Sequence, residues 1–93
     1  MLFEQWHWDE GNLQHLGHGL TRTIVEQVWR EKPRFRRNKK RRAASHQMIG
    51  PDRGQKMWTV CIVEMPYQQG LWLAITGWPS ELPEKEWYQG RGK

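Results

Sequence analysis

Ninety-three residues with 15 Lys or Arg against 10 Asp or Glu carry a net charge of +5, and this length holds one domain (1–93) rather than two independent cores. Apolar residues make up only 37% and mean hydropathy is −0.96, so no run approaches the ~18 apolar residues of a membrane span. Seven Trp must then supply much of the buried area. The opening MLFEQWHWDE has early acids and neither the basic nor the apolar region of a signal peptide. A lone Cys61 in an apolar run excludes an intramolecular disulfide, reads as a small buried hydrophobe and fits a reducing cytosol, so the expected localisation is cytoplasmic.

In chain order, Leu2–Trp8 alternates apolar and polar residues and predicts a short first strand. Asp9 is a good N-cap, and Leu13, Leu16 and Leu20 follow at helical spacing until Gly17 and Gly19 end that helix. Thr21 caps a second helix with an apolar stripe of Ile24, Val25, Val28 and Trp29, and Pro33 stops it. After a basic run, Arg42 to Ile49 predicts a strand, with His46 and Met48 on one face and Gln47 and Ile49 on the other. Gly50–Gly54 has turn chemistry, and Met57–Met65 is β-branched and apolar on both faces, as in a central strand. Pro66–Gly70 turns again, Leu71–Trp78 alternates as the next strand, and Glu81–Gln89 forms a short acidic helix before a frayed 90–93 tail. The expected fold is α+β, in the order β-α-α-β-β-β-α, with an antiparallel sheet and helices on one face.

The charge is concentrated in one place. Arg30–Arg42, REKPRFRRNKKRR, holds nine Lys or Arg against the single Glu31, a local charge of +8, and the remainder of the chain sums to −3. Such a strip seeks a polyanion, either a nucleic acid or an acidic protein partner, unless it is merely a solvated loop. The candidate nucleic-acid-binding residues are Arg34, Arg36, Arg37, Lys39, Lys40, Arg41 and Arg42, with Arg53 a weaker addition in the turn. His46 follows the cations directly, and an imidazole beside guanidinium and ammonium groups can transfer protons while they stabilise a phosphorane. His46, Arg42 and Lys40 are therefore the candidate catalytic set, against the alternative of a half-buried structural imidazole at 46. His15 and His18, three apart on a helix end, with only His7, His46 and Cys61 to complete a ligand set, give a weak metal signal, so neither metal nor cofactor is expected. Trp58 and Trp72 read as core; Trp78, at a strand end beside Pro79, can stack on a base.

Phe3-Glu4, Trp8-Asp9-Glu10-Gly11-Asn12, His15, His18-Gly19-Leu20-Thr21 and Val25-Glu26-Gln27-Val28 resemble the N-terminal half of BrnT-type proteins. Those are toxins of type II toxin–antitoxin modules with a RelE/ParE-like fold. Ile49-Gly50, Trp58–Glu64 and Leu73-Ala74-Ile75-Thr76 extend the likeness, which covers roughly residues 3–88. The resemblance implies a small, metal-independent endoribonuclease that blocks translation by cleaving RNA. It also implies a cognate antitoxin protein that binds and neutralises it and through which oligomers form. Family members usually end the last strand with a Ser-Ala-Arg-like segment; here Thr76-Gly77-Trp78-Pro79 stands there, so catalysis would fall on the basic strip with His46. The alternative function is a non-catalytic basic module that grips nucleic acid or an acidic antitoxin through the same strip.

Overall fold

In the computed structural model, which describes residues 1–14, 16–39 and 43–90, Asp9 and Asn12 close the first turn of helix α1 (Glu10–Gln14) reciprocally. The Asn12 N–H donates to Asp9 Oδ1 at 2.8 Å and the Asp9 N–H donates to Asn12 Oδ1 at 2.9 Å. Asn12 Nδ2 also donates to the Ala74 carbonyl (3.1 Å), tying the helix to the sheet. The helix is shorter than the leucine spacing implies. Gly17, His18 and Gly19 all take positive φ, so Leu16 and Leu20 reach the core from a loop while Leu13 stays 37% exposed. The Thr21 hydroxyl accepts from the Ile24 N–H and starts α2 (Arg22–Arg30), whose Val25 and Val28 are fully buried.

Five strands form one mixed sheet in the order β1-β5-β4-β3-β2, and with the three helices the domain is α+β. β2 (Arg34–Arg37), β3 (His46–Pro51), β4 (Met57–Glu64) and β5 (Leu71–Pro79) form an antiparallel meander. Each strand pairs with its sequence neighbour because the turns between them are short. β1 is only Gln5–Trp6 and lies parallel to β5, so the sheet is not purely antiparallel as expected. Before β1, the Glu4 N–H donates to the Gly70 carbonyl (2.8 Å), Trp72 Nε1–H donates to the Leu2 carbonyl (2.8 Å), and the Phe3 ring packs among Trp6, Trp29, Phe35 and Trp72.

The element order departs from expectation by one strand, β2, which lies inside the basic run. Alternation explains it: Phe35 projects to the core side opposite Met48, while its charged neighbours point elsewhere. One face of the sheet, with Met48, Trp58, Val60, Ile62, Trp72 and Ala74, packs on Val25 and Val28 of α2 and on Leu16 and Leu20. Phe3, Trp29 and Phe35 extend this core toward the open end of β2. Trp58 and Trp72 are buried core residues, as their strands required.

Helix α3 (Leu82–Tyr88) corrects the expectation that all helices share one face. It packs on residues of the opposite face. Trp78 Nε1–H donates to the Glu84 carboxylate, and the Arg34 guanidinium lies 4.5 Å from the Trp87 ring centroid. Buried Ile49, Thr59 and Cys61 lie on that second face, where the Thr59 hydroxyl bonds Ser80 at 2.9 Å. A bulge between Cys61 and Ile62 leaves Ile75 without a β4 partner. The radius of gyration is 12.3 Å, matching the roughly 12 Å of a single domain of this length. Among the described residues no helix is long and apolar enough to cross a membrane.

Candidate nucleic-acid interface

The period-two geometry of β2 divides the basic run between two faces. Arg34 and Arg36 point to the α3 face. Arg34 Nη1 donates to the Trp87 and Tyr88 carbonyls at 2.8 and 2.9 Å, at the C-terminal end of α3. Arg36 Nε donates to Gln47 Oε1 (2.8 Å) and its guanidinium lies 4.8 Å from the Trp87 centroid. Arg37 points to the α2 face, directly across from His46. Lys39 is exposed just beyond the strand. Asn38 is buried there instead: its N–H donates to the Ser45 carbonyl (2.9 Å) and its Nδ2 to the Ala44 carbonyl (3.0 Å), drawing the two ends of the β2–β3 loop together. Lys40, Arg41 and Arg42, which complete the expected cationic and catalytic set, lie outside the described residues, as does His15.

His46 opens β3 half-buried, its ring edge-on to Trp72 with centroids 5.5 Å apart. The Ser45 hydroxyl bonds Nδ1 at 2.9 Å, so Nε2 is the nitrogen left for a substrate. Partial burial, reinforced by the Arg37 charge and only partly offset by Glu64, holds the imidazole below its ordinary pKa of 6.5. It is therefore neutral at physiological pH and competent as a base. A cavity of about 390 Å³ opens beside it, lined by Met1, Phe3, Phe35, Arg36, Arg37 and His46.

A larger groove of about 950 Å³ lies on the α3 face. One wall carries Arg36, Arg37 and Lys39; the floor is formed by Cys61, Ile75 and Thr76; Trp78, Glu84 and Trp87 form the wall toward α3. Arg36 and Arg37 border both cavities, so the end of β2 is the ridge between them. Glu84 is buried but satisfied, accepting from the Glu81 N–H at 2.7 Å and from Trp78 Nε1. Sequence reasoning missed Gln47, Glu84 and Trp87 as neighbours of the basic run. Only the Arg-x-Arg alternation of β2 hinted that its cations would split between faces.

The structure does not bring every expected residue together. Arg53 sits in the β3–β4 turn, at the other end of β3 from His46 and roughly 20 Å away by strand rise. Its N–H donates to Gln27 Oε1 at 3.1 Å, and the Asp52 carboxylate organises the turn. Asp52 accepts from the Gly54 and Lys56 N–H groups and from Trp58 Nε1. Burial raises its pKa, but those bonds outweigh it and hold the carboxyl below its ordinary value. His18 lies in the left-handed turn beyond α1, not on a helix end. Among the described residues no three His, Cys, Asp or Glu side chains converge as a metal site would need. No protein-family model, curated protein or solved structure matches this chain.

Proposed function

We propose that this chain is a toxin-like, metal-independent endoribonuclease of a type II toxin–antitoxin module, RelE-like in fold and acting in the cytoplasm, with its centre at the β2–β3 edge. The observation that carries the reading is the direct cross-strand pairing of Arg37 with His46 beside an open cavity. Neutral Nε2 of His46 takes the proton of a ribose 2′-hydroxyl, and the freed oxygen attacks the adjacent phosphorus. The P–O5′ bond then breaks, the leaving oxygen is reprotonated, and a cyclic 2′,3′-phosphate remains. Arg37, with Lys40 and Arg42, which follow it in the sequence, carries the extra negative charge of the phosphorane. Base and counter-charge both come from side chains, so the step needs no metal.

The test is cleavage of single-stranded RNA by purified protein in EDTA. His46→Ala should lower the rate about 10²–10⁴-fold while RNA affinity changes little. Intact RNA after prolonged incubation, or a silent His46→Ala change, would overturn the assignment. A second reading, a non-catalytic module gripping RNA or an acidic antitoxin, is favoured by the engagement of Arg34 and Arg36 in holding α3, on the face away from His46. It requires salt-sensitive binding without turnover, with the salt slope falling by roughly 0.7–0.9 for each phosphate that a removed cation no longer neutralises.

A further inference from the structure

We infer that the groove on the α3 face is a nucleotide-binding site, which takes one unpaired base against Trp78 and the attached phosphate on Arg36 and Lys39. This goes beyond the ribonuclease reading and stands without it, because the groove and the His46 cavity open on opposite sides of β2.

Among the described residues no ion pair neutralises the cations on the groove wall. Ion pairs among the described residues join His7 to Asp9 and Glu26 to Arg22 and Arg30, all elsewhere. Arg36 is nevertheless already oriented. Its Nε is spent on the neutral amide oxygen of Gln47 and its plane lies by Trp87, which leaves its charge uncancelled and its Nη groups to donate. An anion arriving there meets a guanidinium that loses little further freedom on binding.

The base platform is fixed in the same way. Both oxygens of Glu84 accept from Trp78 Nε1 at 3.1 Å, so the half-buried indole is held by its polar edge. A ring held by its edge offers a π-face that needs no ordering when a base stacks on it. Trp87 cannot serve equally, since Arg34 and Arg36 both lie over its ring. Ile75 and Cys61 supply an apolar floor, and the Gln47 amide, whose oxygen is taken by Arg36, still has N–H groups for an acceptor on the base edge.

Charge sets the direction of the ligand. The carboxylates Glu81 and Glu84 stand on the α3 side, the cations on the β2 side, so a phosphate is favoured only at the β2 end and the base falls toward Trp78. A groove of about 950 Å³ is ample for one nucleotide. A bare phosphate would use only one wall, and a neutral apolar ligand would leave Arg36 and Lys39 unpaired.

The experiment titrates the intact protein with nucleoside monophosphates, the matching nucleosides and inorganic phosphate by calorimetry. The indole N–H signals are followed by NMR in parallel, with Trp78 assigned by its loss in Trp78→Phe. The nucleotide should bind about tenfold or more tightly than either fragment and shift the Trp78 signal. Trp78→Ala should weaken binding about tenfold, Trp78→Phe should restore most of it, and Lys39→Ala should lower both affinity and its salt dependence. A short single-stranded oligonucleotide that displaces the mononucleotide would identify the ligand as part of a chain; failure to displace it would identify free nucleotide. Phosphate binding as tightly as nucleotide, no heat and no shift with nucleotide, or affinity indifferent to Trp78→Ala would each overturn the site.

Discussion

Arg37 and His46 face each other across the β2–β3 pair, on the side of the sheet that also carries Phe35 and Met48. Residues opposed in this way have Cβ atoms about 4.5–5.5 Å apart, so the guanidinium acts on the imidazole at short range. The neighbouring cations Arg34 and Arg36 occupy the other face and hold α3. The cations of β2 are thus split between two faces of the sheet, with different environments and different work.

The first expected outcome concerns the pH profile of RNA cleavage. With burial and then Arg37 lowering His46, the acid limb of the rate should turn over below the ordinary imidazole value of 6.5. Arg37→Gln removes one of those causes, so the inflection should move up toward that value as the rate falls. A profile that keeps its inflection in Arg37→Gln would mean that the two side chains are not coupled.

Stability should follow the same group. A depressed folded-state pKa means that the unfolded chain binds the proton more readily. The contribution of His46 is therefore fully present above about pH 6.5 and is lost as pH falls through the lower, folded value. Denaturant unfolding between neutral and mildly acidic pH should show this decline, and His46→Gln should flatten it. Asp52, held below its ordinary value, adds its own decline only at more acid pH, so the two are separable.

Arg34→Ala should release the C-terminal end of α3, because two carbonyls lose a charged donor and Trp87 loses one of its two cations. The expected cost is roughly 1–2 kcal/mol, discounted for the exposure of the site. In a domain of this size that lowers Tm by roughly 4–15 °C. Arg34→Lys should recover only part, since an ammonium lacks the planar fork. Calorimetric melting checks the magnitude, and limited proteolysis at 82–90 checks the location.

Gly77→Ala tests how closely β5 approaches the Leu20 loop. An added Cβ would lie 2.6 Å from Leu20 Cδ2 and 2.7 Å from the Thr59 carbonyl oxygen, and the latter, being backbone, cannot swing away. A loss of roughly 1–3 kcal/mol is expected by chemical denaturation. Gly19→Ala has open space around it but keeps a φ of +79°, so its smaller loss, about 1 kcal/mol, reports backbone strain alone.

What the amino-acid string determined by itself is the set of local elements and the sign of the surface they present. Thr21 starts α2 because its hydroxyl meets a nearby N–H, and Met57–Glu64 is a two-sided strand because apolar residues, several of them β-branched, fall on both of its faces. The turn at Asp52–Lys56 follows equally from Asp52, whose carboxylate accepts from N–H groups within four residues, although Gly50 and Pro51, expected in that turn, instead complete β3. Tertiary structure alone decided the rest, since each remaining choice rests on partners far along the chain. Arg34–Arg37 becomes an edge strand only because β3 offers it a ladder and the core accepts Phe35, 13 positions from its partner Met48. Helix α3 takes the second face because Trp78 and Arg34, 44 residues apart in sequence, present it with a donor for Glu84 and a cation for Trp87. Local patterning says that a cation points away from its neighbour; only long-range burial says what each one finds there.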